Sequence, residues 1–263
     1  MPNEVRTGVG IDIGGSALKG APVDLVAGVL AGVRRRRPTP APATPDAVLD
    51  AVVAMVADLS AGGAAVPIGV TYPGVVQHGV TRTAANVDPA WIGHPVAAVL
   101  AQRLDRVVTV LNDADAAGLA EMRVGAGAGR RGVVVMVTLG TGIGTALFVD
   151  GTLVPNSELG HIEIAGEDAE RLAAARVRDE LDLDWPAYAA RVSIYLQRLH
   201  ALIWPGLVIV GGGVSGRAGE WLHLLDVPCE VVPAVLGNDA GIVGAALAAR
   251  DDLTAGPAPA DAR

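Results

Sequence analysis

Cysteine is nearly missing from this chain of 263 residues: Cys229 stands alone. One thiol forms no internal disulfide and builds no multi-cysteine zinc site, which suits a reducing compartment. Lysine is as rare. Lys19 is the single one, and arginine supplies the rest of the 20 basic residues. Aromatic residues make up 3%, so Ala, Val, Leu and Ile must fill the core that a 51% hydrophobic chain can build. A basic excess is absent too: the net charge of −8 gives no footprint for a nucleic-acid partner. The opening MPNEVRTGVGIDIGG lacks the basic start and apolar run of a signal peptide. The charge-free stretches 132–149 and 201–216 are broken by Gly with Thr or Pro, so they read as strands and turns, not membrane spans. A cytoplasmic protein that avoids membranes is expected.

What is present is a repeated plan. Residues 7–33 read as strand, Gly turn, strand, turn, strand, and residues 132–154 read the same way. VGIDIGGSALKGAPVD and VMVTLGTGIGTALFVD are two copies of one hairpin unit, about 125 residues apart, too far for a solenoid repeat. Two related lobes facing each other are predicted. An α/β pattern lies between the hairpins. Asp46–Leu59 reads as a helix, with Thr44 as cap, Pro45 in its first turn, and a stripe of Val48, Val52, Met55 and Val56. VPIGVTYPG and RVVTVLND read as strands, and Ala114–Arg123 as the helix that follows. Asp184–Leu202 reads as a long helix, LVIVGGG as a strand entering a Gly loop, and Asn238–Ala249 as a closing helix. The predicted domains are 1–112 with helix 238–249 packed back on it, then 113–237, with 251–263 a disordered tail. The Arg34–Arg37 run reads as a solvated loop, with a basic lip for a polyanion as the alternative.

Four segments carry residue types that do chemistry. In Asp12-Ile-Gly-Gly-Ser16 a strand delivers a carboxylate, then Gly14 and Gly15 let backbone N–H groups approach phosphate oxygens. Ser16 adds a hydroxyl and Lys19 a charge. The segment leads into a strand, so it is neither a Walker A loop nor a dinucleotide fingerprint; alone, it would equally suit a tight hairpin. The second copy supplies Thr138, Gly140, Thr141 and Gly142 on the same plan. Two such loops can grip one phosphate chain. Gly211-Gly212-Gly213, after a strand, suits a nucleoside or further phosphates, or simply a βα turn. Asn112-Asp113 stands at a strand end where a helix begins, a place that favours both a site carboxylate and a helix cap. Glu158-Leu-Gly-His161 brings an acceptor and an imidazole together, a weak pattern by itself.

Taken in order, these residues resemble the ROK family of sugar kinases in the actin-like ATPase superfamily, and within it the polyphosphate-using bacterial glucokinases. GIDIGGSALKGA, PIGVTYPGVV, LNDADAAGLAE, TLGTGIGTAL, DGTLVPNSELGHIE and IVGGGVSG carry the resemblance, over about residues 7–249. It implies a two-lobed α/β fold of the actin-like, ribonuclease H-like kind. It also implies a kinase that moves a phosphoryl group from polyphosphate, ATP or both to the 6-hydroxyl of glucose. Asp113 would be the general base. Gly74, Asn86, Asn112, Glu158, His161 and Glu170 would contact the sugar, with Glu163 a rival to Glu170. Asp12 would position magnesium, through water. The wider family carries a cysteine-rich zinc motif after the Glu-x-Gly-His segment; GEDAERLAA stands there instead, which implies no zinc. Gly216 and Gln77 stand where relatives of this branch often carry Lys, which removes charge from the donor side.

The chemistry asked of these residues is modest. A sugar hydroxyl needs a proton acceptor as it attacks phosphorus, a contribution of ~10²–10⁴-fold for a general base. Placement and charge stabilisation of the phosphoryl group supply more. A polyphosphate donor needs a local basic track, for which Arg82, Arg123, Arg130, Arg131 and Arg217 are the candidates. The alternatives are an ATP-only kinase of another hexose such as mannose, and a sugar sensor without catalysis. A homodimer is expected; the apolar face of the 184–202 helix could serve it or could equally lie in the core.

Overall fold

The computed structural model describes residues 5–60, 66–84 and 87–255. Contacts divide the chain into two units: residues up to Ala120 together with those from Gly241 onward, and Glu121–Ala240. The expected division before Asp113 is moved eight residues on, into a helix. The helix that follows Asn112 starts within the first unit, because the backbone of its Ala116 lies against Gly244 of the chain's last helix.

The first unit holds β1 (Thr7–Ile13), β2 (Ala17–Asp24), β3 (Val29–Leu30), β4 (Arg35–Pro38), α1 (Pro45–Leu59), β5 (Ile68–Tyr72), β6 (Val76–Gln77), β7 (Val80–Thr81), α2 (Val96–Leu104), β8 (Val108–Asn112) and most of α3 (Asp113–Val124). Its main sheet runs β3-β2-β1-β5-β8, with β4 also on β2. β1 and β2 are antiparallel; β5 and β8 join in parallel. α1 buries Val48, Val52, Met55 and Val56 against this sheet, the stripe read from the sequence. Thr44 sits at its N-cap, but its side chain makes no capping bond. Its carbonyl takes the Val48 N–H instead, and Pro45 has no N–H to be capped.

The second unit repeats the topology. It holds β9 (Val133–Leu139), β10 (Ile143–Val149), β11 (Thr152–Val154), β12 (Glu163–Ile164), β13 (Glu167–Asp168), α4 (Ala169–Ala173), α5 (Ala175–Glu180), α6 (Trp185–Ile203), β14 (Leu207–Gly212), α7 (Ala218–Trp221) and β15 (Glu230–Pro233). Its sheet runs β11-β10-β9-β14-β15: again a hairpin, then two parallel strands beside its first member. Tyr188, Val192, Leu196 and Leu199 of α6 pack on it. The Asp184 carboxylate caps α6 by accepting from Ala187 N–H.

Two expectations need correcting. The Arg34–Arg37 run is no loop: Arg35–Pro38 form β4, antiparallel to residues 17–20 of β2. Without it that edge of β2 would be left unpaired, and charged residues are the usual choice for an edge strand. The closing helix begins and ends later than expected, as α8 (Ala240–Ala255), so residues 251–255 are helix rather than disordered tail. Thr109 donates its hydroxyl to Asp252 at 2.7 Å, and Arg250 donates to the Leu25 carbonyl at 2.6 Å, which fixes this end to the first unit.

Candidate active site

The β1–β2 turn places Asp12 at the end of a buried strand. Its Oδ1 accepts the Thr71 hydroxyl from β5 at 2.8 Å, and its Oδ2 faces the Lys19 ammonium at 3.5 Å. Gly14, Gly15 and Ser16 make the turn, closed by Gly14 N–H on the Ala17 carbonyl. Gly15 has open space where a Cβ would be, and Ser16 is exposed, so the backbone here can be approached from outside. Thr39 clamps the turn: its hydroxyl donates to Gly14 O at 2.6 Å and its N–H to Ser16 O at 3.2 Å. Thr39 was not among the sequence candidates, because its partners lie 23 and more residues away.

Asn112 and Asp113 stand where β8 becomes α3. Asn112 is buried and its Oδ1 accepts from Ala114 and Asp115 N–H at 2.8 and 3.0 Å, so it is the helix cap. Its Nδ2 donates to the Gly74 carbonyl at 3.2 Å, which ties the loop after β5 to this corner. Asp113, one residue on, is exposed, with Oδ1 on the Ala114 N–H at 2.8 Å. At Gly74 a Cβ would lie 2.8 Å from the Thr83 hydroxyl, so glycine is required there for packing. Asn86 lies outside the described residues.

In the second unit the turn from Gly140 to Gly142 copies the first, with Gly140 N–H on Gly142 O at 3.0 Å, Thr141 exposed and Thr138 half-buried. Glu158 leads into a 3₁₀ turn, Leu159–His161, set against β10. Gly160 allows that contact: a Cβ there would meet the Ile143 carbonyl at 2.0 Å. Leu159 N–H on the Thr145 hydroxyl at 3.0 Å anchors the segment. His161 then has Asp168 on Nδ1 at 2.8 Å and Glu158 near Nε2 at 3.8 Å. The hydrogen bond to Asp168 raises its pKa above the usual imidazole value; burial opposes this, and the charges of Asp168, Glu170 and Glu158 add to the rise. Asp168 also caps α4, accepting from Glu170 N–H at 3.0 Å. Ligating atoms of His161, Asp168 and Glu170 lie within 4.8 Å of one another. Glu170 reaches the glycine turn as well: Ile143 N–H points at its carboxylate at 3.4 Å, and a Cβ on Gly142 would lie 2.5 Å from it. Glu163 sits in the β12–β13 hairpin opposite Asp168, exposed and outside this group. Sequence reading missed Asp168; the Asp-x-Glu spacing after a glycine turn was its only signal.

The Gly211–Gly213 run divides by cause. Gly212 has φ +81° and its Cβ would lie 2.2 Å from the Leu139 carbonyl, and Gly211 abuts Met136, so both serve the β14–β9 contact. Gly213 opens to free space at the start of a 3₁₀ turn, as does Gly216. Of the five track arginines, Arg130 pairs with Glu230 at 2.6 Å and Arg217 with Glu220 at 2.7 Å, so these two charges are already balanced locally.

The family model described as "ROK family" matches residues 8–173. The chain belongs to the ROK family. Other relatives sharpen the position within it. A polyphosphate glucokinase of Mycobacterium tuberculosis (strain CDC 1551 / Oshkosh) is 50% identical over 250 residues, 95% of this chain and 93% of that protein. The crystal structure of an inorganic polyphosphate/ATP-glucomannokinase from Arthrobacter sp. strain KM matches with a TM-score of 0.88 and 53% identity, over 92% of this chain and 98% of that one. A ROK family glucokinase from Streptomyces griseus, solved with glucose and AMPPNP, matches with a TM-score of 0.77 and 26% identity, over 94% and 100%. The fold is therefore the actin-like α/β fold of ROK sugar kinases, and the duplicated hairpin-plus-parallel-strand topology is its signature in this chain. No helix among the described residues is long and apolar enough to cross a membrane.

Proposed function

We propose that this ROK protein is a glucose kinase that transfers a phosphoryl group from inorganic polyphosphate, ATP or both to the sugar 6-hydroxyl. The observation that carries the reading is Asp113: an exposed carboxylate at a strand end whose capping duty has been taken by Asn112. A carboxylate exposed at this corner can take the hydroxyl proton as the bond to phosphorus forms. Its likeness to polyphosphate glucokinases supplies the substrates. Glu158, His161 and Glu170 offer two acceptors and an imidazole to the ring hydroxyls, and Asn112, Gly74 and Asn86 complete the set. Gly14–Ser16 with Lys19, and Thr138 with Gly140–Gly142, hold phosphate oxygens through backbone N–H and hydroxyl groups; Gly213 offers the same. Asp12 fits magnesium held through water, since its two oxygens bind only one hydroxyl and face one cation at 3.5 Å. When bound, magnesium would neutralise charge on the donor phosphates. No cysteine takes part, and the reading includes no zinc. A cytoplasmic homodimer is part of the same proposal, and mannose is proposed as a second acceptor from the Arthrobacter enzyme's name.

The test is one assay series. Purified protein with magnesium and glucose should form glucose 6-phosphate with polyphosphate and with ATP, each supplied separately. Asp113→Asn should lower kcat by ~10²–10⁴-fold while equilibrium binding of glucose is kept. Full turnover in that variant removes Asp113 from its role; wild-type turnover with neither donor removes the kinase reading.

A further inference from the structure

The arginines of β4 have no place in the site so far described, yet their register does. Asp12 of β1 stands opposite Lys19 of β2, and Lys19 stands opposite Arg36 of β4. Directly opposed residues in antiparallel strands project from one face. Asp12, Lys19 and Arg36 therefore form a row across three strands, about 10 Å from end to end at ~4.8 Å per strand. Along the row the side chains rise from burial to solvent: Asp12 is 20% exposed, Lys19 32%, and Arg36 is exposed. The neighbouring arginines point the other way. Arg35 stands opposite Gly20, whose missing side chain would meet Met55 of α1, and Arg37 stands opposite Leu18 and pairs with Asp58 of α1. Arg37 is thus a structural ion pair, whereas no carboxylate among the described residues pairs with Arg36. The strand is held to the phosphate-approachable turn by both Thr39 hydrogen bonds.

We propose that Arg36 binds the donor chain beyond the phosphates held by Gly14–Ser16 and Lys19, as a contact for a long polyphosphate. This rests on the donor reading above. The ammonium of Lys19 is partly offset by Asp12, so Arg36 brings the first uncompensated positive charge of the row. Its guanidinium matches phosphate oxygens two at a time. With a net charge of −8 on the whole chain, such attraction acts only locally, and a row in line with the turn is where it is useful. ATP has three phosphates and then a nucleoside, so it reaches Arg36 less than a long chain does.

Two charge reversals on adjacent residues make the test. Direct binding of labelled long-chain polyphosphate is measured by anisotropy, and KM is measured for long-chain polyphosphate, tripolyphosphate and ATP. Arg36→Glu should weaken binding and raise the long-chain KM about tenfold, with a smaller effect on tripolyphosphate and ATP. The slope of log affinity against log salt should fall by ~0.7, as for one contact on a single-stranded polyanion. Arg36→Lys should recover most of the affinity. Arg35→Glu makes the same change of net charge on the opposite face and should leave long-chain binding within about twofold, the range of a screened surface charge. Equal losses in Arg35→Glu and Arg36→Glu, or equal losses across all three donors, overturn the proposal. A wild type that uses ATP but fails to bind polyphosphate narrows the donor reading to ATP and overturns this inference; one that uses neither donor removes the kinase reading itself. A wild type that binds it as tightly as Arg36→Glu overturns only the inference.

Discussion

His161 shows how much one side chain depends on a neighbour that carries no chemistry of its own. Asp168 accepts from Nδ1–H at 2.8 Å, and in the protonated ring Nε2–H faces the Glu158 carboxylate at 3.8 Å. The same bond raises the pKa of His161. A raised imidazole stabilises the fold fully below its unfolded value of about 6.5, and that stabilisation is lost as pH rises through the folded value. Asp168→Asn removes the charge but keeps a good N-cap for α4, so the helix start survives. The expected result is that the pH at which glucose KM changes moves down, with KM raised several-fold and kcat changed less. A KM–pH profile that superimposes on the wild type would show that Asp168 is only a cap. The sequence held His161 in plain view but hid its partner. Asp168 lies seven residues on, across a hairpin whose two-residue strands have no periodicity to read. Glu170 and Glu163 could not be separated by spacing either; the helix that starts after Asp168 places Glu170 beside His161, and the hairpin keeps Glu163 outside the group.

At the scale of elements, the legible parts are those with a period or a repeat. The α1 stripe, the length of α6 and both hairpins could be read because their signals are local. β4 could not, because its partner is β2, and a run of arginines has no apolar alternation to mark a strand. The glycines beneath α8 were equally silent. Gly10 and Gly69 are register partners on β1 and β5, and a Cβ on either would meet a carbonyl of α8: Ile242 O at 1.9 Å and Ala245 O at 1.8 Å. In the sequence they look like ordinary strand residues of a buried sheet. Their task is to let a helix lie on the backbone itself, and only the return of α8 from more than 170 residues away creates that demand. Gly69→Ala should therefore cost about 1–3 kcal/mol, the range for overpacking a close contact. Chemical denaturation would show this as a lower urea midpoint at an unchanged slope. An unmoved midpoint would mean that α8 can shift by an ångström without loss.

For the molecule as a whole, the repeat of the hairpin was readable from two glycine-hydroxyl loops, whereas a partner surface leaves no motif. α6 supplies a physical clue. One side of it buries Tyr188, Val192, Tyr195, Leu196 and Leu199. Ile194 is 47% exposed, Leu202 50% and Trp204, just past its end, 74%, and a shallow apolar depression is lined by Leu159, Ile162, Leu199, Leu202 and Ile203. Apolar side chains grouped like this on a surface mark association, and a two-fold dimer would set one such surface against its own copy. The predicted species is a dimer of twice 26.6 kDa in light scattering. Trp204→Asn makes the test specific. Trp204 ends the helix with φ at 48°, in the left-handed region that asparagine tolerates better than a bulky aromatic. The substitution removes the most exposed apolar ring on α6 without asking the chain for a new backbone conformation, so the protomer should fold as well as before. Weakening of the dimer, seen as a concentration-dependent fall toward the monomer mass with helicity unchanged, is the expected outcome. A wild type that scatters as a monomer at tens of micromolar, or a variant whose dimer is as tight as the original, would take α6 out of the assembly.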